Sequence, residues 1–282
     1  MRLNHNQKSA RSIFLDHGIL MLGAVFLMLP ILLMIASSTH TSSVISQQGL
    51  QLLPGNQAGP NYVRVARLEA GFTDQITALA MLKNSLVIAT SIASLTTVLS
   101  MMAAYAIVYF KFPVAGLLFW LTMLTLLLPL ESRFVTTFQV AATLGLVNTY
   151  GGMVLPALAI ALGTLFFRQL FLSFPGEYLE AAKLDGAGPV RFFKDFIVPL
   201  AWRRGGAIFV VSFMIGWNQY LWPLILSTDE TRYTVLRGIR LIGLESGPGM
   251  ALAVLTILPP LILVILFQRY FFKAMVDTKD SF

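Results

Sequence analysis

Between Ser173 and Arg204 the chain reads SFPGEYLEAAKLDGAGPVRFFKDFIVPLAWRR, a helix-prone segment set between two long apolar runs. Pro175 suits a first helical turn, Glu177 and Glu180 favour the positive end of a helix dipole, and Gly186, Gly188 and Pro189 end that helix and start a second. The spacing predicts a short helix-turn-helix. Its first helix carries Tyr178, Leu179, Ala181, Ala182 and Leu184; its second carries Val190, Phe192, Phe193, Phe196 and Ile197 before Pro199 stops it. That is more apolar surface than a free connection needs, and loops longer than about 12 to 15 residues usually carry a function. Small residues at Ala181, Ala182, Gly186 and Ala187 offer close approach to the backbone, while Glu180 and Asp185 offer charge pairing that fixes register. Such a pattern suits an amphipathic plug for a groove on a partner. The competing reading, a helix lying on lipid headgroups, does not call for paired small residues at these positions.

Working outward, the flanks are membrane-like. Of 282 residues, 56% are hydrophobic and 12% charged, about half the charged share of an average soluble chain. A membrane helix needs about 20 mostly apolar residues, and six segments qualify: Ile19 to Ser37, Asn84 to Val108, Val114 to Leu130, Thr149 to Leu172, Gly205 to Leu226 and Met250 to Phe271. The expected fold is therefore all-α and polytopic, with six transmembrane helices in the lipid bilayer. A basic tail with Arg2, Lys8 and Arg11 gives the first run a signal-peptide look, but its length and the lack of a nearby small-residue cleavage site favour a span. The net charge of +7 is dispersed between apolar runs, so no nucleic-acid patch forms. With no cysteine, and with His5, His17 and His40 all near one end, thiol chemistry is excluded and no metal site is expected.

Orientation follows from the basic residues. If the N-terminus is cytoplasmic, the tail, the Lys111 turn, the Arg168 to Arg204 stretch and the end from Arg269 hold 13 of the 20 Lys and Arg. The opposite side holds Arg64, Arg67, Lys83, Arg133, Arg232, Arg237 and Arg240. This asymmetry places both termini and the 173–204 loop inside. The expected organisation is a cytoplasmic tail over 1–18, a six-span domain over 19–272 that includes the 173–204 loop, and a cytoplasmic tail over 273–282. A second long polar segment, Ser38 to Lys83, lies outside, with a helical stretch expected from Tyr62 to Leu82.

Glu180-Ala181-Ala182, then Asp185-Gly186-Ala187, then Ile197-Val198-Pro199 resembles the EAA coupling loop of the membrane subunits of bacterial ABC importers, with Val198 where leucine is more usual. The resemblance extends over nearly the whole chain and implies a type I importer (MetI-like) transmembrane domain in the bacterial inner membrane. In that family the loop docks in a cleft of a cytoplasmic ATPase. There is no G-x-x-x-x-G-K-[ST] phosphate loop here, so this chain is not its own ATPase. The resemblance implies two ABC ATPase subunits carrying ATP and Mg, a second homologous permease subunit, and a periplasmic solute-binding protein docking on the outer loops. No cofactor is expected on this chain.

Within the family, the carbohydrate permeases are most similar, resembling maltose permease subunits and more narrowly glycerol-3-phosphate permease subunits of the E type. The residues carrying this are Ala104 to Ile107, Phe110 to Pro113, Leu128 to Glu131, Phe167 to Gln169, and above all Gly216 to Leu224. The implied activity is import of glycerol-3-phosphate or a glycerophosphodiester, with a maltose-type sugar as the alternative. Asn218 and Gln219 fall in a predicted span, where unpaired amides are costly, and so are expected to face a cavity or the partner subunit. Trp217, Tyr220 and Trp222 fit either stacking faces for a solute or an interface belt, and Pro223 a kink or helix end. Arg133 beside Glu131 fits either anion attraction or an ion pair, and Arg168 an interfacial anchor. An embedded enzyme would need a nucleophile with a base, or a metal cluster, and the sequence shows neither. A simple channel would not need the coupling loop.

Overall fold

The computed structural model describes residues 10–67, 76–110, 112–128, 130–158 and 160–276. The first and last residues of the two tails, and Lys111 in the turn expected inside, lie outside that range. In chain order the helices are α1 (Ala10–Ser37), α2 (Ser42–Gln48), α3 (Ala58–Ala66), α4 (Ala78–Tyr109), α5 (Ala115–Leu124), α6 (Phe134–Thr143), α7 (Tyr150–Val154), α8 (Ile160–Leu172), α9 (Glu177–Leu184), α10 (Pro189–Phe192), α11 (Val198–Trp217), α12 (Leu221–Leu226), α13 (Val235–Ile242) and α14 (Gly247–Val276). Among the described residues there is no strand, so the chain is all-α as expected.

Among the described residues three helices are long and apolar enough to cross a membrane: Phe14–Ser37, Ala78–Tyr109 and Gly247–Gln268. Two bent helix pairs pass the same test of length and composition when taken together. Tyr150–Ala157 and Ile160–Leu172 meet at 51°, and Pro189–Trp202 and Arg204–Trp217 at 73°. The expected span at 149–172 is thus bent, whereas the 73° bend at 202–204 falls just before the span expected at 205–226. The first breaks after Pro156, and the second stops at Trp217 and resumes as α12. The expected third span is represented by a shorter apolar stretch, Ala115–Leu127, about 20 Å long at 1.5 Å per residue. The helix expected from Tyr62 to Leu82 divides into α3 and the start of α4; residues 68–75 between them are not described.

The chain forms two units, 1–72 with 239–255, and 73–238 with 256–282. In the first, the loop after α1 is folded onto α3 by the Asn61 carboxamide, which donates to the carbonyls of Ser38 and His40, both at 2.8 Å. Thr41 caps α2 by accepting from Val44 N at 3.4 Å.

In the second unit, α4 is the central helix, packed against α8 and α11. Thr77 caps it by accepting from Ala80 N at 3.2 Å. Its buried face is built of small and β-branched side chains, among them Ala89, Ala93, Ile88 and Ile92. Small residues let membrane helices approach closely, where packing has to replace the hydrophobic effect. A Cβ on Gly163 of α8 would overlap Ser100 Oγ, and one on Gly216 of α11 would come 3.1 Å from Ala89 Cα. Ser100 Oγ donates to Ile160 O at 2.9 Å, and Thr164 Oγ1 to the same carbonyl at 2.8 Å. Both hydroxyls thus converge on the first carbonyl of α8, at the break between α7 and α8.

Candidate functional site

The 173–204 loop folds as a helix-turn-helix, but Pro199 does not stop the second helix: it stands in the first turn of α11, where its missing N–H is tolerated, and the helix runs on to Trp217. Glu177 and Glu180 stand in the first turn of α9 and Lys183 in the last, each on the favourable end of the dipole. Gly186 has φ +71°, the left-handed conformation that favours glycine. Around it Gly186 N donates to Lys183 O at 3.1 Å and Ala187 N to Ala182 O at 2.9 Å, the bond pair of a Schellman C-cap. Pro189 then opens α10. A five-residue π turn, Phe193–Ile197, joins α10 to α11, with Val198 N bonded to Phe193 O. The wide turn falls just ahead of Pro199, whose missing N–H an α ladder cannot use.

The loop does not present all its small residues outward. Ala182 is only 1% exposed. It belongs to a buried cluster with Met101, Tyr105, Phe167, Phe171, Phe192 and Ile197, against which Leu179, Ala187, Phe193 and Phe196 pack. Of the residues expected to admit a partner, Ala181 and Gly186 are exposed, Ala187 is half-buried and Ala182 is spent on the subunit's own core. Leu184 at 90% exposure and Val190 at 80% flank the turn. Two apolar knobs on either side of a bare glycine corner, with Glu180 and Asp185 exposed beside them, make the outward surface. Arg191 and Asp195 pair at 3.5 Å across one turn, and Pro199 is exposed while Ile197 is buried.

Tyr105 of α4 ties the loop to the span. Its phenol oxygen Oη donates to Pro189 O at 2.8 Å, and its ring lies 4.9 Å from that of Phe193 and 5.2 Å from that of Tyr109. A cleft of about 290 Å³ opens beside this contact, lined by Tyr109, Phe110, Leu179 and Lys183 among others.

At the opposite end of α4 the polar groups gather. The Asn84 carboxamide donates to Thr231 O at 2.9 Å and Tyr233 O at 3.0 Å and accepts from Tyr150 Oη at 2.6 Å. Ser85 Oγ accepts from Val235 N at 2.9 Å. The Arg232 guanidinium sits 4.6 Å from the Tyr150 ring centroid and that of Arg237 3.6 Å from Tyr233. Asn148, at φ 61°, accepts from Thr228 N at 2.7 Å and Asp229 N at 2.9 Å. The Asp229 carboxyl is held below the usual carboxylate range by the Thr231 N–H and then its hydroxyl.

The Trp217 to Pro223 stretch is placed differently from the expectation. Asn218 lies beyond the end of α11 and is exposed, and its carboxamide donates to Met214 O at 2.9 Å, so one amide N–H bonds back to its own helix. Trp217 is 4% exposed and stacks on Phe213 at 5.7 Å; Trp222 is 2% exposed and meets Phe134 edge-on at 5.1 Å. Neither indole shows a free face to a solute, because both are packed inside this subunit. Gln219 and Tyr220 are half-buried. Arg133 stands, exposed, at the position just before α6, with no side-chain capping bond, and Glu131's side chain is not among those described. Arg168 lies over the Phe119 ring at 4.5 Å. The Tyr105 and Asn84 attachments escaped sequence reading, since their partners are backbone carbonyls 84 and 147 to 149 residues away.

Residues 9–277 match the pattern of the binding-protein-dependent transport system inner membrane component. The chain belongs to that family. Inner membrane components of this kind are multi-pass transport subunits, not enzymes, and work with ATPase and binding-protein partners. Among similar members, the sn-glycerol-3-phosphate transport system permease protein UgpE of Brucella melitensis biotype 1 is 39% identical over 274 residues, covering 94% of this chain and 96% of its own. The UgpE protein of Agrobacterium fabrum is 38% identical over 272 residues, covering 93% and 95%. A bacterial ABC transporter involved in the import of the acidic polysaccharide alginate has a chain that superposes with a TM-score of 0.79 at 18% identity, covering 96% of this chain and 100% of that one. This inner membrane component therefore has the ABC importer permease fold.

Proposed function

We propose that this chain is the membrane subunit that passes sn-glycerol-3-phosphate, or a related glycerophosphodiester, into the cytoplasm. The observation that carries the reading is the 39% identity, over nearly the full length of both chains, to permease proteins named for sn-glycerol-3-phosphate transport. In this reading the chain pairs with a second, homologous permease subunit and two ATPase subunits that hold ATP and Mg, binds no cofactor itself, and receives solute from a periplasmic binding protein. It has six spans within 19–272 and cytoplasmic tails over 1–18 and 273–282. The 173–204 loop is the ATPase dock: Leu184 and Val190 seat on either side of the Gly186 corner, and Glu180 and Asp185 set register. Closure of the ATPases displaces the loop, and the spans rock between inward-facing and outward-facing states. Exposed Arg133 is the candidate for drawing in the phosphate, and half-buried Gln219 and Tyr220, with exposed Asn218, are the candidates along the path.

Uptake of labelled glycerol-3-phosphate tests this, in cells lacking other carriers, with the gene deleted or restored and with unlabelled maltose or glycerophosphocholine as competitor. Uptake that follows the gene and ignores maltose is the expected result. Uptake indifferent to the gene, or competed by maltose, moves the substrate to another sugar.

A further inference from the structure

The two ends of α4 are pinned to two segments that are themselves far apart. At one end Tyr105 Oη donates to Pro189 O at 2.8 Å, inside the turn of the 173–204 loop. At the other the Asn84 carboxamide holds the carbonyls of Thr231 and Tyr233 at 2.9 and 3.0 Å, and Ser85 Oγ receives Val235 N at 2.9 Å. Between Asn84 and Tyr105 the helix runs about 32 Å without interruption at 1.5 Å per residue, with no proline in it. Each attachment is buried: Tyr105 is 8% and Asn84 4% exposed. Burial of the phenol and the carboxamide restricts the rotamer changes by which either could follow a moving partner. A helix held this way at both ends moves with both segments or breaks hydrogen bonds at one of them.

We propose that α4 carries displacement of the 173–204 loop to the 231–235 segment at its far end, with Tyr105 and Asn84 as the positioning residues at the two attachments. The inference rests on the loop being the ATPase dock. Physical coupling of this sort is shown by perturbing both ends of one element and finding that the effects do not add.

The complete importer, with its partner subunits and binding protein, is placed in lipid nanodiscs, and hydrogen exchange of the 231–235 amides is read with and without a non-hydrolysable ATP analogue. In wild type the analogue should change exchange there by about fivefold, the low end of a typical coupling. Tyr105→Phe keeps the ring among Tyr109, Phe192 and Phe193 and removes only the donor, so it should abolish most of that response. Asn84→Ala should do the same, and the double variant should lose no more than either alone. Ser85→Ala, a milder change, should give a partial loss if Asn84→Ala assembles poorly. A full response in Tyr105→Phe, additive losses, or no response in wild type overturns the proposal. A cysteine at Leu184, cross-linked to the ATPase, separates the two claims: absence of the cross-link sinks the docking reading itself, while a cross-link with an undiminished Tyr105→Phe response sinks only the role of α4.

Discussion

Gly186 occupies the corner of the loop with φ +71° and nothing within 4 Å of where a Cβ would point. The space is open, so the penalty for another residue is backbone strain, about 1–2 kcal/mol for most side chains and less for Asn. Gly186→Asp adds charge at the tip as well, and we expect it to abolish uptake and ATPase copurification, whereas Gly186→Asn should keep most of both; equal loss in the two would assign the damage to bulk at the corner and not to charge, and wild-type uptake in Gly186→Asp would separate the tip from docking. Two neighbouring alanines give a sharper contrast. Ala182 faces Tyr105 and Phe192 in the core, so Ala182→Leu overpacks it at about 1–3 kcal/mol and should lower the thermal midpoint in nanodiscs. Ala181 faces out, so Ala181→Leu should leave that midpoint in place and weaken ATPase association. The motif Glu180-Ala181-Ala182 reads as one unit in the sequence, and only the packing shows that its two alanines have opposite duties.

At the scale of the element, α4, α8 and α11 meet through glycines where side chains would collide. Gly163→Ala puts a Cβ against Ser100 Oγ and 2.7 Å from Ser100 Cβ, and the backbone must give because the neighbour is short. We expect less subunit in the membrane and a lower thermal midpoint, with Gly163→Ala/Ser100→Gly recovering part of each; failure of that rescue would locate the damage elsewhere. Here too the legibility of the chain had limits with physical causes. Apolar length marks α1, α4 and α14 plainly, because a single unbroken run is what the bilayer demands. It cannot see the breaks at 157–160 and 218–220, since hydropathy averages across them and the residues stay apolar on both sides. Pro156 was the visible warning for the first break. For the second, Asn218 looked like a costly amide inside a span, but it sits past the end of α11 and bonds back to Met214. The indoles of Trp217 and Trp222 fit solute platforms or an interface belt in the sequence, and the structure instead buries both inside this subunit.

For the molecule as a whole, the distribution of Lys and Arg gives a checkable topology. Reporter fusions after Asp185 and after Phe282 should register inside, and one after Gln57 outside; a reporter at Gln57 that reads inside would invert the proposed arrangement and with it the side on which the ATPase docks. The burial of Ala182 and Phe192 also bears on how such a subunit is inhibited. Ala182, Phe192 and Ile197 are packed with Met101 and Tyr105 of α4 and with Phe167 and Phe171 of α8, so the outward face owes its shape to a scaffold that the loop does not contain. A synthetic peptide copying residues 177–197 would have neither Tyr105 nor Phe171 to fold against, and at this length an isolated helix pair is marginal in water. Decoys for the ATPase cleft would have to be cross-braced artificially, for instance by a staple in place of the Ala182 contact, leaving Leu184 and Val190 free.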